Sequence, residues 1–262
     1  MLEIKHRSWG DGTETIKTSW RTFKKQWIFW TVFHCAVFLV QNSGFLLSHI
    51  GTFFAAFGNT ILVGVLMGCV HQQISNPEAR SIDVFEDILD TYLQKLIYFA
   101  VFVATIKTTS SIGLESYTLS VINTAIEFPE LSLEMLNMQK AQEQFHRTLQ
   151  NIQDPFVVQT LVYQLLGILQ VSMIFGVLFF MSIVFVPYLI VVENIKFLPA
   201  IRLSFSACQK NLWSLTSLSL WWLLISILGI LSCCGGYIIS IAIMNISTYH
   251  MAQKIFTVKQ NP

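Results

Sequence analysis

Charge is the first thing this chain lacks. Asp, Glu, Lys and Arg make up 12% of its 262 residues, about half the share in ordinary soluble domains. Water is therefore not expected to surround most of it. Recognisable catalytic chemistry is lacking too. There is no phosphate-binding glycine loop, no H-E-x-x-H pair and no Ser/His/Asp arrangement at a known spacing. The chain reads as non-enzymatic, with no cofactor, no metal and no nucleic-acid partner. Cysteine supplies no disulfide framework. Cys35, Cys69, Cys208, Cys233 and Cys234 lie in or beside apolar runs, and the adjacent pair Cys233 and Cys234 reads as small packing residues at a helix end. No short apolar leader with a small-residue cleavage site precedes the first apolar run, so that run is expected to be a retained signal anchor.

Apolar sequence is abundant. Hydrophobic residues make up 53% of the chain, and the mean hydropathy is +0.58. A helix needs about 20 mostly apolar residues to cross the hydrocarbon core. Six stretches qualify, at about 27–47, 51–72, 95–113, 157–186, 212–232 and 236–252. The expected fold is all-α, a single integral membrane domain over 1–262. Its six transmembrane helices form three hairpins, each preceded by a cytoplasmic interfacial amphipathic helix.

The basic residues set the expected orientation. With the N-terminus inside, all of the 16 Lys and Arg fall in inner segments except Lys107, Lys140 and Arg147, as the positive-inside rule requires. Both termini are therefore placed in the cytoplasm. The first amphipathic helix, within 13–25, sets Ile16, Trp20, Phe23 and Trp27 on one face with cations around them, suited to the headgroup layer. Asn76 and Pro77 break the chain before a second such helix, capped by Ser81. Its stripe is Ile82, Phe85, Leu89, Tyr92 and Leu96, and Asp83, Glu86, Asp87 and Asp90 take the solvated side. The third helix begins at Lys196 and feeds a hairpin that turns at a pair of glycines, Gly235 and Gly236.

The outer segment 113–155 is acidic. Glu115, Glu127, Glu130, Glu134, Glu143 and His146 match no catalytic or metal spacing and read as a solvated cap. The fourth apolar run exceeds the core thickness, so tilt or a kink at Pro187 is expected, and Gln159, Gln164 and Gln170 read as interhelical hydrogen-bonding groups. The Gly64–Gly68 pair fits close helix packing within the chain. A shift of 185 positions superimposes Ser19 on Ser204, Lys25 on Lys210, Gly44 on Gly229 and Gly51 on Gly236 without a gap. That suggests an internal repeat related by an axis along the membrane normal.

One pattern points to a family. Pro187, Glu193, Ala200, Ser204, Lys210 and Asn211 punctuate the run PYLIVVENIKFLPAIRLSFSACQKN before an apolar hairpin. Together with SWRTFKK and ILVGVLMGCV near the start, this resembles bacterial multi-pass inner-membrane proteins. Those are similar in turn to the membrane domain attached to some glycerophosphodiester phosphodiesterases. The resemblance implies a bacterial inner-membrane architecture in which those six residues are structural. It transfers no activity, because no catalytic phosphodiesterase domain accompanies the pattern.

Two functions remain. A structural or accessory protein would engage membrane lipids, a membrane protein partner or a second copy of itself. The alternative is a transporter or channel for a neutral small solute. Ion coupling is disfavoured because the expected spans offer only His34, Asn59, Asn245 and His250, with no Asp or Glu.

Overall fold

The computed structural model describes the backbone of residues 2–43, 48–76, 81–126 and 155–258. These are helical almost throughout. The order is β1 (Leu2–Ile4), α1 (Gly10–Lys25), α2 (Trp27–Ser43), α3 (Ser48–Ser75), α4 (Ser81–Ile126), α5 (Pro155–Ile183), α6 (Val186–Val191), α7 (Phe197–Lys210), α8 (Leu212–Leu231), α9 (Cys233–Ile255) and β2 (Phe256–Val258). The turn after Ser43, the break at Pro77, Glu127, Glu130, Glu134, Glu143 and His146 lie outside the described residues, as do the side chains of Cys233 and Cys234.

Among the described residues, four helices are long and apolar enough to cross a membrane: His49–Ser75, Asp87–Tyr117, Leu169–Val191 and Leu212–Leu231. The first and last of the expected spans fall short for different reasons. The apolar part of α2, Trp27–Gln41, is too short. The 23-residue α9 is long enough, but Ser240, Asn245, Ser247, Thr248 and His250 dilute its hydropathy. All of these except Asn245 are buried, so the dilution serves packing inside the protein.

Several expectations change in detail. The second amphipathic helix runs directly into the third span as α4, and that helix continues beyond the expected span end at Gly113 to Ile126. The fourth run does break, at Val184 and Phe185 just before Pro187. Gly235 and Gly236 do not form the last hairpin turn. They are helical in α9, the α8–α9 joint is Ser232 alone, and no described glycine has a positive φ. Their use is proximity. A Cβ on Gly236 would stand 2.9 Å from the Gly229 carbonyl oxygen and 2.6 Å from the Cβ of Ser232. Inside lipid there is no hydrophobic drive between helices, so close contact of this kind carries much of the association.

The chain divides into two compact units, Met1–Lys107 with Phe179–Pro262, and Thr108–Leu178. In the larger unit α9 is the central element and packs against α8, α1, α2 and α3. Trp30, Tyr249, Phe99, Phe185, Leu66 and Met67 are among its largest fully buried side chains. Gly64 and Gly68 let α4 approach α3, since a Cβ at Gly68 would press on Ile88 at 2.9 Å from its Cγ1. The smaller unit comprises the far end of α4 and most of α5. There Tyr163, Leu169, Val171, Met173 and Ile174 are exposed, as lipid-facing residues would be.

The first and last described segments pair. β1 and β2 form a two-stranded antiparallel ribbon with Leu2 opposite Val258 and Ile4 opposite Phe256. The Lys5 N–H extends it by donating to the Ile255 carbonyl at 2.9 Å.

Gly236→Ala is expected to destabilise the detergent-solubilised protein by about 1–3 kcal/mol, because backbone atoms cannot yield to the new methyl. Gly113→Ala, facing open space, should be neutral or stabilising by up to about 1 kcal/mol from helix propensity. Thermal unfolding followed by circular dichroism reads both.

Candidate functional site

The region around Pro187 gathers most of the residues that the sequence singled out. Proline has no N–H, so the carbonyl four residues back loses its donor and the helix cannot pass undisturbed. In hydrocarbon an unpaired peptide group is costly, so the break needs a substitute partner. The proline ring also crowds the preceding turn, and the ladder is open two residues before the orphaned Ile183 carbonyl as well. There Ser204, fully buried on α7, provides a partner. Its hydroxyl donates to the Met181 carbonyl at 3.0 Å and accepts from the Phe185 N–H at 3.3 Å. The side chain thus stands in for the missing 185-to-181 ladder bond. Ala200 and Ala207 are buried on the same helix, small enough for α7 to approach α6. Cys208 is buried beside them, and burial pushes its thiol up to about 12, which makes it unreactive at neutral pH.

Asn211 is the joint between α7 and α8. Its Nδ2 donates to the Ala207 carbonyl at 3.0 Å, while its Oδ1 accepts the Arg7 N–H at 2.7 Å. Arg7 also donates from Nε to the Lys254 carbonyl at 2.8 Å, and Lys254 in turn reaches Glu14 at 2.7 Å and Asp11 at 3.9 Å. One asparagine therefore ties the start of the chain to α7, and Arg7 carries the tie to the end of α9. Lys210 is exposed and makes no such tie.

Glu193 follows α6 in a short loop. It accepts the Tyr188 hydroxyl at Oε1, 3.2 Å away. Tyr188 meets Tyr249 edge to face at 5.5 Å and stacks on Phe256 at 6.2 Å. The Tyr249 hydroxyl lies 2.9 Å from Nδ1 of His71 on α3. The next loop residue, Asn194, is the single described non-glycine residue with positive φ, 54°, a conformation asparagine tolerates better than most. It turns its side-chain oxygen to accept from Lys95 on α4. Carboxylate, imidazole and two phenols thus meet from α3, α6, α9 and one loop just past Val191, where an apolar run ends, and the next loop residue holds the Lys95 ammonium of α4.

No family model, curated protein or solved structure matches the chain. The site must therefore be read from its own groups. Among the described residues, no three His, Cys, Asp or Glu side chains gather closely enough to hold a metal.

A second set of polar contacts lies deeper, where α9 meets α1, α2 and α8. His34 places Nδ1 2.8 Å from the Trp30 carbonyl, which makes that nitrogen the donor; Nε2 then accepts from the Asn245 amide at 3.2 Å. His250 Nε2 lies 3.0 Å from the Thr22 hydroxyl, and Trp222 donates to Ser247 at 2.7 Å. His34 thus makes a polar packing contact inside the bundle. Gln159 and Gln170 are exposed on α5 rather than turned into a helix contact, and the Gln164 side chain is not among those described.

Sequence reasoning missed His71, Lys95, Tyr188, Asn194 and Tyr249 as a group. The only local signal was Asn194 directly after a span end, a usual left-handed turn residue. The other four are brought together by packing alone.

Ser204→Ala is expected to cost about 1–3 kcal/mol, because it strands a buried donor and acceptor together. Lys210→Gln should change little. Thermal unfolding in one detergent gives the comparison.

Proposed function

We propose that the chain is a non-enzymatic, multi-pass protein of the bacterial inner membrane that serves a structural or accessory role by engaging lipid and a membrane partner. The observation that carries this reading is the charge distribution on α1. Its two acids, Asp11 and Glu14, sit at the front and are taken up by Lys254. Lys17, Arg21, Lys24 and Lys25 are all exposed, beside exposed Trp20 and Trp27, and Lys24 lies 5.1 Å from the Trp20 ring centroid. Cations interleaved with tryptophan at a span entrance suit anionic headgroups.

The helix is not free to float. It buries Gly12, Thr15, Ser19, Thr22 and Phe23 against α8 and α9. The Ile16–Trp20–Phe23–Trp27 face is consequently divided, with Phe23 inside, Ile16 partly covered and both tryptophans outside.

Six crossings arranged as three hairpins is the topology we favour. Pairing of β1 with β2 brings the first and last described segments together, which fits an even number of crossings such as six. Helix boundaries support the repeat: α1 and α7 end at Lys25 and Lys210, α2 and α8 begin at Trp27 and Leu212, and α3 and α9 begin at Ser48 and Cys233. Each pair is separated by the same 185 positions that align the sequence. The cation distribution favours both ends in the cytoplasm, and the family resemblance fits the same compartment. A second reading, passage of a neutral solute, draws on the inward-facing His34–Asn245 pair between α2 and α9.

Replacing Lys17, Arg21, Lys24 and Lys25 together with Gln should lower co-purifying anionic lipid severalfold without moving the unfolding temperature by more than a degree or two. Unchanged lipid content would remove the observation on which the reading rests. Crosslinking in native membranes then identifies a partner, and solute-swelling assays on proteoliposomes decide the second reading.

A further inference from the structure

We propose that the 192–196 loop and α4 form a binding site for a single phospholipid with a zwitterionic primary-ammonium headgroup of the phosphatidylethanolamine type. This rests on the lipid-engaging reading above and names the lipid and its ligands.

Charge arrangement is the starting point. Lys95 and Glu193 have opposite signs, and successive loop residues meet them: Lys95 is held by Asn194, while Glu193 is held by Tyr188. The left-handed backbone at Asn194 is what lets one loop present a carboxylate and hold an ammonium in successive residues. The second carboxylate oxygen of Glu193 has no partner among the described residues, and Lys95 is exposed. A carboxylate with a free oxygen beside a separate ammonium is complementary to a headgroup with an ammonium linked to a phosphate. Lys95 would take the phosphate, and Glu193 would accept the N–H donors of the headgroup amine.

Depth and surroundings agree. Val191 ends one apolar run, and Lys95 lies toward the start of the apolar helix Asp87–Tyr117, from where the long lysine stem reaches the headgroup layer. Directly inward on α4, one turn on and on the same face, Tyr98 is 63% exposed. Leu198, 67% exposed, flanks Phe197, which packs on Phe99 and Phe102 of α4 at 5.9 and 5.2 Å. Acyl chains laid against Tyr98 and Leu198 would bring the headgroup to Lys95 and Glu193. An anionic headgroup without an amine satisfies Lys95 but offers Glu193 only neutral hydroxyl donors and no positive charge. A trimethylated amine offers charge without N–H.

The test uses the full-length protein, delipidated in detergent, with native mass spectrometry of added phosphatidylethanolamine, its mono-, di- and trimethylated forms, and phosphatidylglycerol. The expected result is tighter retention of phosphatidylethanolamine than of phosphatidylglycerol, falling stepwise with methylation. Glu193→Gln should reduce the preference about tenfold, the equivalent of one lost charged hydrogen bond. Lys95→Gln should weaken both lipids alike. Should Glu193→Gln fail to fold, the methylation series on the unaltered protein decides alone. Equal retention of the two lipids, or a preference that survives Glu193→Gln, overturns the proposal while leaving general lipid engagement standing. Retention of no lipid overturns both.

Discussion

Hydrocarbon offers no hydrogen bonds, so every polar group placed in it must find a partner within the protein. This constraint governs where the described helices break. At Val184 and Phe185 the ladder is interrupted, and the Ser204 hydroxyl supplies both an acceptor and a donor. At Asn211 the α7–α8 joint is closed by the residue's own amide, which also receives Arg7 from the other end of the sequence. At the first of these breaks a side chain from another helix takes over the missing backbone bond, and at the second the residue at the joint does so itself. The order of proline, serine and asparagine in this segment is therefore a set of matched gaps and fillers.

The same constraint explains α9. A lipid-facing helix would have no use for Asn245, Ser247, Thr248, Tyr249 and His250 in succession. These residues are tolerated because neighbours surround them: His34 from α2, Trp222 from α8, His71 from α3 and Thr22 from α1. A helix central to the bundle can be less apolar than one at its edge. By contrast α8, whose outward residues include Leu223, Leu224, Leu228 and Leu231, keeps the hydropathy of a span. Polarity along α9 thus records contact with protein, whereas apolarity along α8 records contact with lipid.

How much of this was legible beforehand depended on the range of the interaction. Helix positions follow from local composition, and the all-helical architecture, the joint before Leu212 and the break near Pro187 were readable from runs and prolines. The six-residue motif was also readable as a pattern, although not as the repair of a broken ladder, since the Ser204 contact spans two helices. Gly235 and Gly236 were misread because a glycine pair between two apolar runs signals a turn as readily as a close crossing, and only the facing Gly229 distinguishes them. The site around Glu193 was invisible for a stronger reason. Its members come from α3, α4, α6 and α9, and no spacing along the chain encodes that meeting.

Packing of α1 has a consequence for how the protein meets the bilayer. An autonomous interfacial helix turns a broad apolar face toward the acyl chains, but most of the buried face of α1 consists of Gly12 and small hydroxyl residues. Thr15 and Ser19 donate to carbonyls one turn back, at 2.7 Å each, so their polarity is spent within the helix and the surface offered to α8 and α9 is smooth. Gly12 completes it, since a Cβ there would stand 2.6 Å from the Ser217 hydroxyl oxygen. Such a face gains little from lipid and much from a close helix neighbour. Its cations and tryptophans are consequently fixed relative to α9, and through Tyr249 relative to His71 and the neighbouring Glu193 loop. The cations of α1 and the Glu193 loop therefore belong to one packed unit, and neither surface can be displaced without disturbing α9.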